Sequence, residues 1–166
     1  DRVAAMVNDV LRSGSVAEQA LRQEKRLRVD TLITEVVADY TLLAKTRGMT
    51  FAVNTQPVTI YANRDMMRHV ISNLVSNAVR HGDAGSVITI TCGQYELAIE
   101  NACKPLTKQQ LQHVFDPFYR TSGSAKQHAD SSGIGLYTVK MLLDAKGLDY
   151  SFAPHGQGMR FVVRLT

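Results

Sequence analysis

Asn73 and Asn77 stand one helical turn apart in a run that otherwise reads as a helix. Asn is a poor helix former, because its side chain competes for backbone hydrogen bonds, so a pair spaced i, i+4 asks for a reason. The amide oxygens are hard ligands. Magnesium prefers oxygen, keeps several waters, and usually meets a protein through one or two side chains plus substrate phosphates. The same spacing also suits two exposed or back-bonded asparagines on a surface helix. A second candidate is Ser131-Ser132-Gly133-Ile134-Gly135-Leu136, where two glycines open a helix. There the backbone can approach a phosphate closely and the helix N-terminus offers unpaired amides; a plain loop-to-helix turn fits as well. A Ser-, Gly- and charge-rich stretch over 121–131 leads into it and reads as a lid. Ahead of the lid, Phe115-Asp116-Pro117-Phe118-Tyr119-Arg120 places two aromatics three apart, suited to anchoring a hinge in the core. Arg120 stands at the lid's start, where a guanidinium can reach phosphate oxygens.

The elements that must hold these residues follow from periodicity. Asn63 reads as the N-cap of a helix in which Met67, Val70, Ile71, Leu74, Val75 and Ala78 form one face. His69, Asn73, Asn77 and His81 recur every four residues on another face. Upstream, Val3, Met6, Val7, Val10 and Leu11 have helical spacing, and 14–26 is polar enough for a linker. Asp30 offers an N-cap for a helix over 31–47, with Leu32, Val36 and Leu43 inward and Gly48 at its end. Segments 49–53 and 58–62, flanking Pro57, read as a short antiparallel pair. Strands over 86–91 and 95–100 follow, then a short helix from Thr107, an irregular stretch over 116–132, a helix over 133–146, and strands over 148–153 and 160–165. The pattern predicts an α/β (α+β) two-layer sandwich: a mixed, mostly antiparallel sheet with helices over one face.

Composition narrows the class. With 166 residues, the chain has room for one core. Its net charge of +4 comes from scattered Lys and Arg, with only a mild cluster at Arg22, Lys25, Arg26 and Arg28, so a nucleic-acid surface is not indicated. Cys92 and Cys103 make no disulfide framework and have no metal-ligand spacing, which fits a reducing cytoplasm. No apolar run reaches the roughly 18 residues needed to cross a bilayer, so direct membrane contact is not expected of this segment.

Taken in order, Asn73-Leu74-Val75-Ser76-Asn77-Ala78, the Phe115 to Arg120 run, and Ser132-Gly133-Ile134-Gly135-Leu136 resemble the N, F and second glycine boxes of bacterial sensor histidine kinases. Gly156-Gln157-Gly158-Met159-Arg160-Phe161 resembles their last glycine box, so the likeness covers about residues 27–166. Leu136-Tyr137-Thr138-Val139-Lys140 and Ile99-Glu100-Asn101 are similar to segments of VanS-like sensors. The resemblance implies a GHKL (Bergerat-type) ATPase fold over 27–166, with residues 1–26 as the end of a dimerisation helix and a linker. It also implies ATP and magnesium as ligands, with Asn77 and Asn73 on the metal and Arg80 by phosphate. His81 would flank adenine, and Arg120 with the amides of Gly133, Ile134, Gly135 and Leu136 would complete the cradle. The implied partners are a phosphoacceptor domain of the same protein, homodimeric in the parent, and a response regulator. The implied location is the cytoplasmic side of a membrane-anchored parent. Related ATP hydrolases carry a Glu at the position of Asn73 to activate water, so an Asn there points to transfer onto a side chain instead.

The first glycine box, Asp-x-Gly-x-Gly in the family, reads Asn101-Ala102-Cys103-Lys104-Pro105. Asn101 can still accept from the adenine amine but forgoes a charge-assisted bond, a loss on the order of 1 kcal/mol. Cys103 and Pro105 add bulk and a fixed φ, and Met159 replaces a frequent Thr, so weak nucleotide binding is expected. None of His69, His81, His113, His128 or His155 has a phosphoacceptor context, which places the acceptor upstream. Two other readings stay open: a degenerate pseudokinase or signalling module, and a stand-alone GHKL protein.

Overall fold

The computed structural model describes Glu18 and residues 21–119 and 135–166. In chain order the elements are β1 (Lys25–Arg28), α1 (Val29–Thr46), β2 (Thr50–Thr55), β3 (Thr59–Ala62), α2 (Arg64–His81), β4 (Val87–Cys92), β5 (Glu96–Ala102), α3 (Lys108–His113), α4 (Gly135–Lys146), β6 (Tyr150–His155) and β7 (Gly158–Arg164). Five strands form one sheet in the order β2-β4-β5-β7-β6, with β2–β4 parallel and the other three pairings antiparallel. Helices pack on one face, α1 against β2 and α2 against β5, while α4 lies against α2. The expected sandwich is the observed one.

Alternation along the strands explains the two faces. Ile88, Ile90 and Cys92 of β4, Leu97 and Ile99 of β5, and Phe161 and Val163 of β7 are buried with Met67, Val70, Ile71, Leu74 and Val75 of α2 and Val139, Leu142 and Leu143 of α4. Each such burial is worth about 1.5–3 kcal/mol relative to exposure. The opposite face carries a charge ladder. Arg160 lies 3.4 Å from Glu96 and 3.2 Å from Glu100, and Arg164 lies 3.7 Å from Glu96. Such partly exposed pairs add little stability, but they keep this face, which no described helix covers, polar.

Three sequence expectations are corrected. Segments 49–53 and 58–62 do not pair with each other: β2 runs parallel to β4, and β3 pairs antiparallel with β1, whose first two residues fall in what reads as linker. The backbone between them is claimed elsewhere. Gln56 N–H donates to the Cys92 carbonyl at 2.9 Å, and the Val58 carbonyl accepts from Val29 N–H at 2.9 Å, which carries the chain off the sheet. Asp30 is not an N-cap. The helix begins earlier, after Arg28, because the Val58 carbonyl already satisfies its first amide. Leu43 is 39% exposed, and Tyr40 and Ala44 continue the buried stripe instead. A straight helix drifts off a seven-residue repeat, which takes Leu43 away from the face of Val36.

Candidate functional site

The polar face of α2 is presented by an ordinary amphipathic helix with both ends tied. Asn63 Oδ1 accepts from Met66 N–H at 2.9 Å, so the expected N-cap is in place. At the other end Arg47 Nη1 donates to the carbonyls of Val79 and, at 3.2 Å, Arg80. These are orphan helix-end acceptors, and a cation there also complements the helix dipole. Arg47 is missed by periodicity; its only sequence signal is an arginine directly before the helix-ending Gly48. Asn73, Asn77, Arg80 and His81 are all half-buried on α2. Beside them Tyr40 Oη and Ser72 Oγ lie 3.0 Å apart, joining α1 to α2.

The start of α4 and the end of β5 close on this face. A Cβ added at Gly135 would lie 3.6 Å from Asn73 Oδ1, so the first residue of α4 sits beside the first asparagine. Leu136 packs against the core. Asn101, next to last in β5, reaches the end of α2: its Cβ lies 3.5 Å from where a Cβ on Gly82 would be. Gly158 explains the last glycine box, since a Cβ there would fall 1.9 Å from the Asn101 carbonyl oxygen. Only glycine lets β7 approach the Asn101 backbone so closely. The loop after β5 is held by Cys103 N–H to the Gln157 carbonyl at 3.1 Å, and by Asp83 N–H to the Ala102 carbonyl at 2.7 Å. Burial and then the Asp83 carboxylate push the Cys103 thiol upward, against a partial opposing pull from Asn101 and the Met159 backbone, so it stands as a neutral thiol at neutral pH. Asn73, Asn77, His81, Gly135 and Asn101 are thus gathered along one helix, one strand end and one helix start. Arg120, Gly133, Ile134 and most of the expected lid fall outside the described residues.

The aromatic run splits. Phe115 meets Tyr150, Phe152 and Phe161 edge-on at centroid distances of 5.7, 6.5 and 6.2 Å, which docks the segment after α3 onto β6 and β7. Phe118 does not anchor in the core: it is 46% exposed and has φ +66°. A cavity of about 630 Å³ lies at the other end of the domain, by Val58, Tyr61, Gln94, Lys146 and Leu165. It touches the last residue of α4, whereas Gly135 is the first, so it is no part of this site.

Chemically, the gathered groups suit a phosphorylated ligand with a hard cation. Asn73 Nδ2 is buried without a hydrogen-bond partner, a costly state that a phosphate oxygen, or a cation meeting the flipped amide, would relieve. Among the described residues no group of three or more His, Cys, Asp or Glu could hold a metal. A cation here would therefore complete its shell with phosphate and water, as magnesium does.

Sandwich and site together suit a domain that binds a phosphorylated ligand. The profile of the histidine kinase-, DNA gyrase B-, and HSP90-like ATPases matches residues 62–166, and the chain belongs to that family. Within it, the chain is similar to sensor histidine kinases. The sensor histidine protein kinase HK06 of Streptococcus pneumoniae serotype 2 is 32% identical over 99% of this chain, which spans 37% of that protein. Full-length ShkA in complex with AMPPNP superposes with a TM-score of 0.78 at 21% identity, over 98% of this chain and 35% of that one. Histidine kinase ThkA in complex with the response regulator TrrA gives 0.73 at 18% identity, over 99% and 48%. These two likenesses concern the fold.

Proposed function

We propose that residues 27–166 position magnesium-ATP for transfer of its γ-phosphoryl group to a histidine in a dimerisation domain of the same, homodimeric protein, from which it passes to a response regulator. In this reading residues 1–26 end the dimerisation helix and link it to the catalytic unit. The single observation behind the reading is Asn73 Nδ2, buried without a hydrogen-bond partner, on a side chain that lies beside Gly135 at a helix start. Asn77 with Asn73 would hold the metal, which neutralises phosphate charge when bound. Arg80, Arg120 and the amides of Gly133, Ile134, Gly135 and Leu136 would meet phosphate, and His81 and Asn101 the base. With no carboxylate at position 73 to activate water, the chain's part is alignment and charge neutralisation, which is most of what phosphoryl transfer requires. ShkA was crystallised with AMPPNP and ThkA with a response regulator, in keeping with the ligand and partner classes proposed. The unit would lie on the cytoplasmic side of a membrane-anchored parent; among the described residues no helix is long and apolar enough to cross a membrane.

The test is titration with a fluorescent ATP analogue, with and without magnesium. Magnesium-dependent binding should weaken at least about tenfold in Asn77→Ala and tighten in Asn101→Asp. No saturable binding up to millimolar ATP would instead leave the degenerate signalling module.

A further inference from the structure

Away from the nucleotide cradle, three observations converge on residues 22–24, where the chain runs into β1. The N-cap Asn63 turns its Nδ2 to the Arg22 carbonyl at 2.8 Å while its Oδ1 caps α2, so both ends of one amide are committed. Glu24 is ion-paired with Lys146, the last residue of α4, and the two side chains are only 20% and 18% exposed. Between these ties Gln23 holds φ +53°, a left-handed conformation that a residue with a side chain keeps only where its surroundings demand it. One short segment therefore grips the start of α2 and the end of α4. The other halves of the same two helices carry Asn73, Asn77 and His81 on α2 and Gly135 on α4.

We propose that residues 22–24 form a clasp across the far ends of α2 and α4. By holding the two helices in register it sets the gap between Asn73 and Gly135, which makes Glu24, Lys146 and Asn63 positioning residues for the nucleotide site. The inference rests on the nucleotide reading above for its functional meaning, but its geometry does not. Helices are stiff rods, so freeing one end of α4 tilts the whole element and displaces Gly135 at the other. A partly buried Lys146 left without its carboxylate is driven towards solvent, and that supplies the force.

The experiment uses the whole chain in four forms: wild type, Glu24→Gln, Asn63→Ser and the charge swap Glu24→Lys with Lys146→Glu. Asn63→Ser keeps a capping oxygen but removes the donor to Arg22. Amide hydrogen exchange is followed without nucleotide, and affinity for the fluorescent ATP analogue is measured with magnesium. The clasp predicts that Glu24→Gln and Asn63→Ser each speed exchange at 135–139, remote from either substitution. They should also weaken the analogue about fivefold or more, while the swap restores both readouts. Faster exchange confined to residues beside each substitution, with affinity unchanged, would overturn it. A wild type that binds no analogue would sink the nucleotide reading alone, and exchange at 135–139 would still decide the clasp.

Discussion

Asp30 shows how one carboxylate can join three parts of the chain. It accepts from Arg28 Nε at 2.8 Å and Nη2 at 2.6 Å, and from Val58 N–H at 3.2 Å, so β1, α1 and the approach to β3 meet at one side chain. Hydrogen bonding to Arg28 holds its carboxyl well below the ordinary carboxylate range, against an opposing effect of burial. The native state therefore binds this proton more weakly than the unfolded chain does. The stability Asp30 contributes is present in full above its unfolded value, about pH 4, and is lost as pH falls towards the folded one. Urea midpoints measured from pH 6 down to pH 3 should fall in wild type and fall less steeply in Asp30→Asn. Cys92 is the contrasting case. Burial, helped by the Asp30 charge, pushes its thiol up to about 11, so it behaves as a packed apolar group. Both cysteines are free, as the absence of a spacing pattern implies.

At the scale of elements, α3 is the least supported helix. Its six residues include none that is buried, and its start depends on a capping box in which Thr107 Oγ1 accepts from Gln110 N–H at 3.1 Å and Gln110 Oε1 from Thr107 N–H at 2.9 Å. Thr107→Ala should cost about 1 kcal/mol, all of it local. Amide exchange over 108–113 should accelerate while the global urea midpoint stays put, because nothing in the core rests on this helix. The sequence pattern starts this helix at Thr107, which the structure makes its cap. The clasp contact between Glu24 and Lys146 is separated by 122 residues, and no local pattern announces it.

For the whole molecule, the absence of a phosphoacceptor context around its histidines bears on what the chain can do alone. His155 lies 3.6 Å from Glu100 in the charge ladder of the open face, His113 Nδ1 pairs with the Asp116 carboxylate at 2.9 Å, and His69 and His81 belong to α2. None of the five histidines in the sequence has a phosphoacceptor context. Given labelled ATP, the chain alone should gain no phosphate. A separately supplied phosphoacceptor domain from the parent should become labelled in the same assay, and labelling of the chain itself would argue against an upstream acceptor.

The sequence by itself determined what depends on neighbours along the chain. The core face of α2 with Asn73 and Asn77, the Asn63 cap, and the order of helices and strands after β1 follow from patterns that each segment carries internally. The family likeness rests on the same stretches. What only the tertiary structure decided is partnership. That β2 joins β4 and β3 joins β1 depends on which distant backbone groups remain unsatisfied. That Asn73 meets Gly135, and that Gly158 must be glycine because the Asn101 carbonyl lies against it, depends on packing between segments far apart in the chain. Local propensity constrains a residue's conformation, but the identity of what it touches is set by the packing of the whole core.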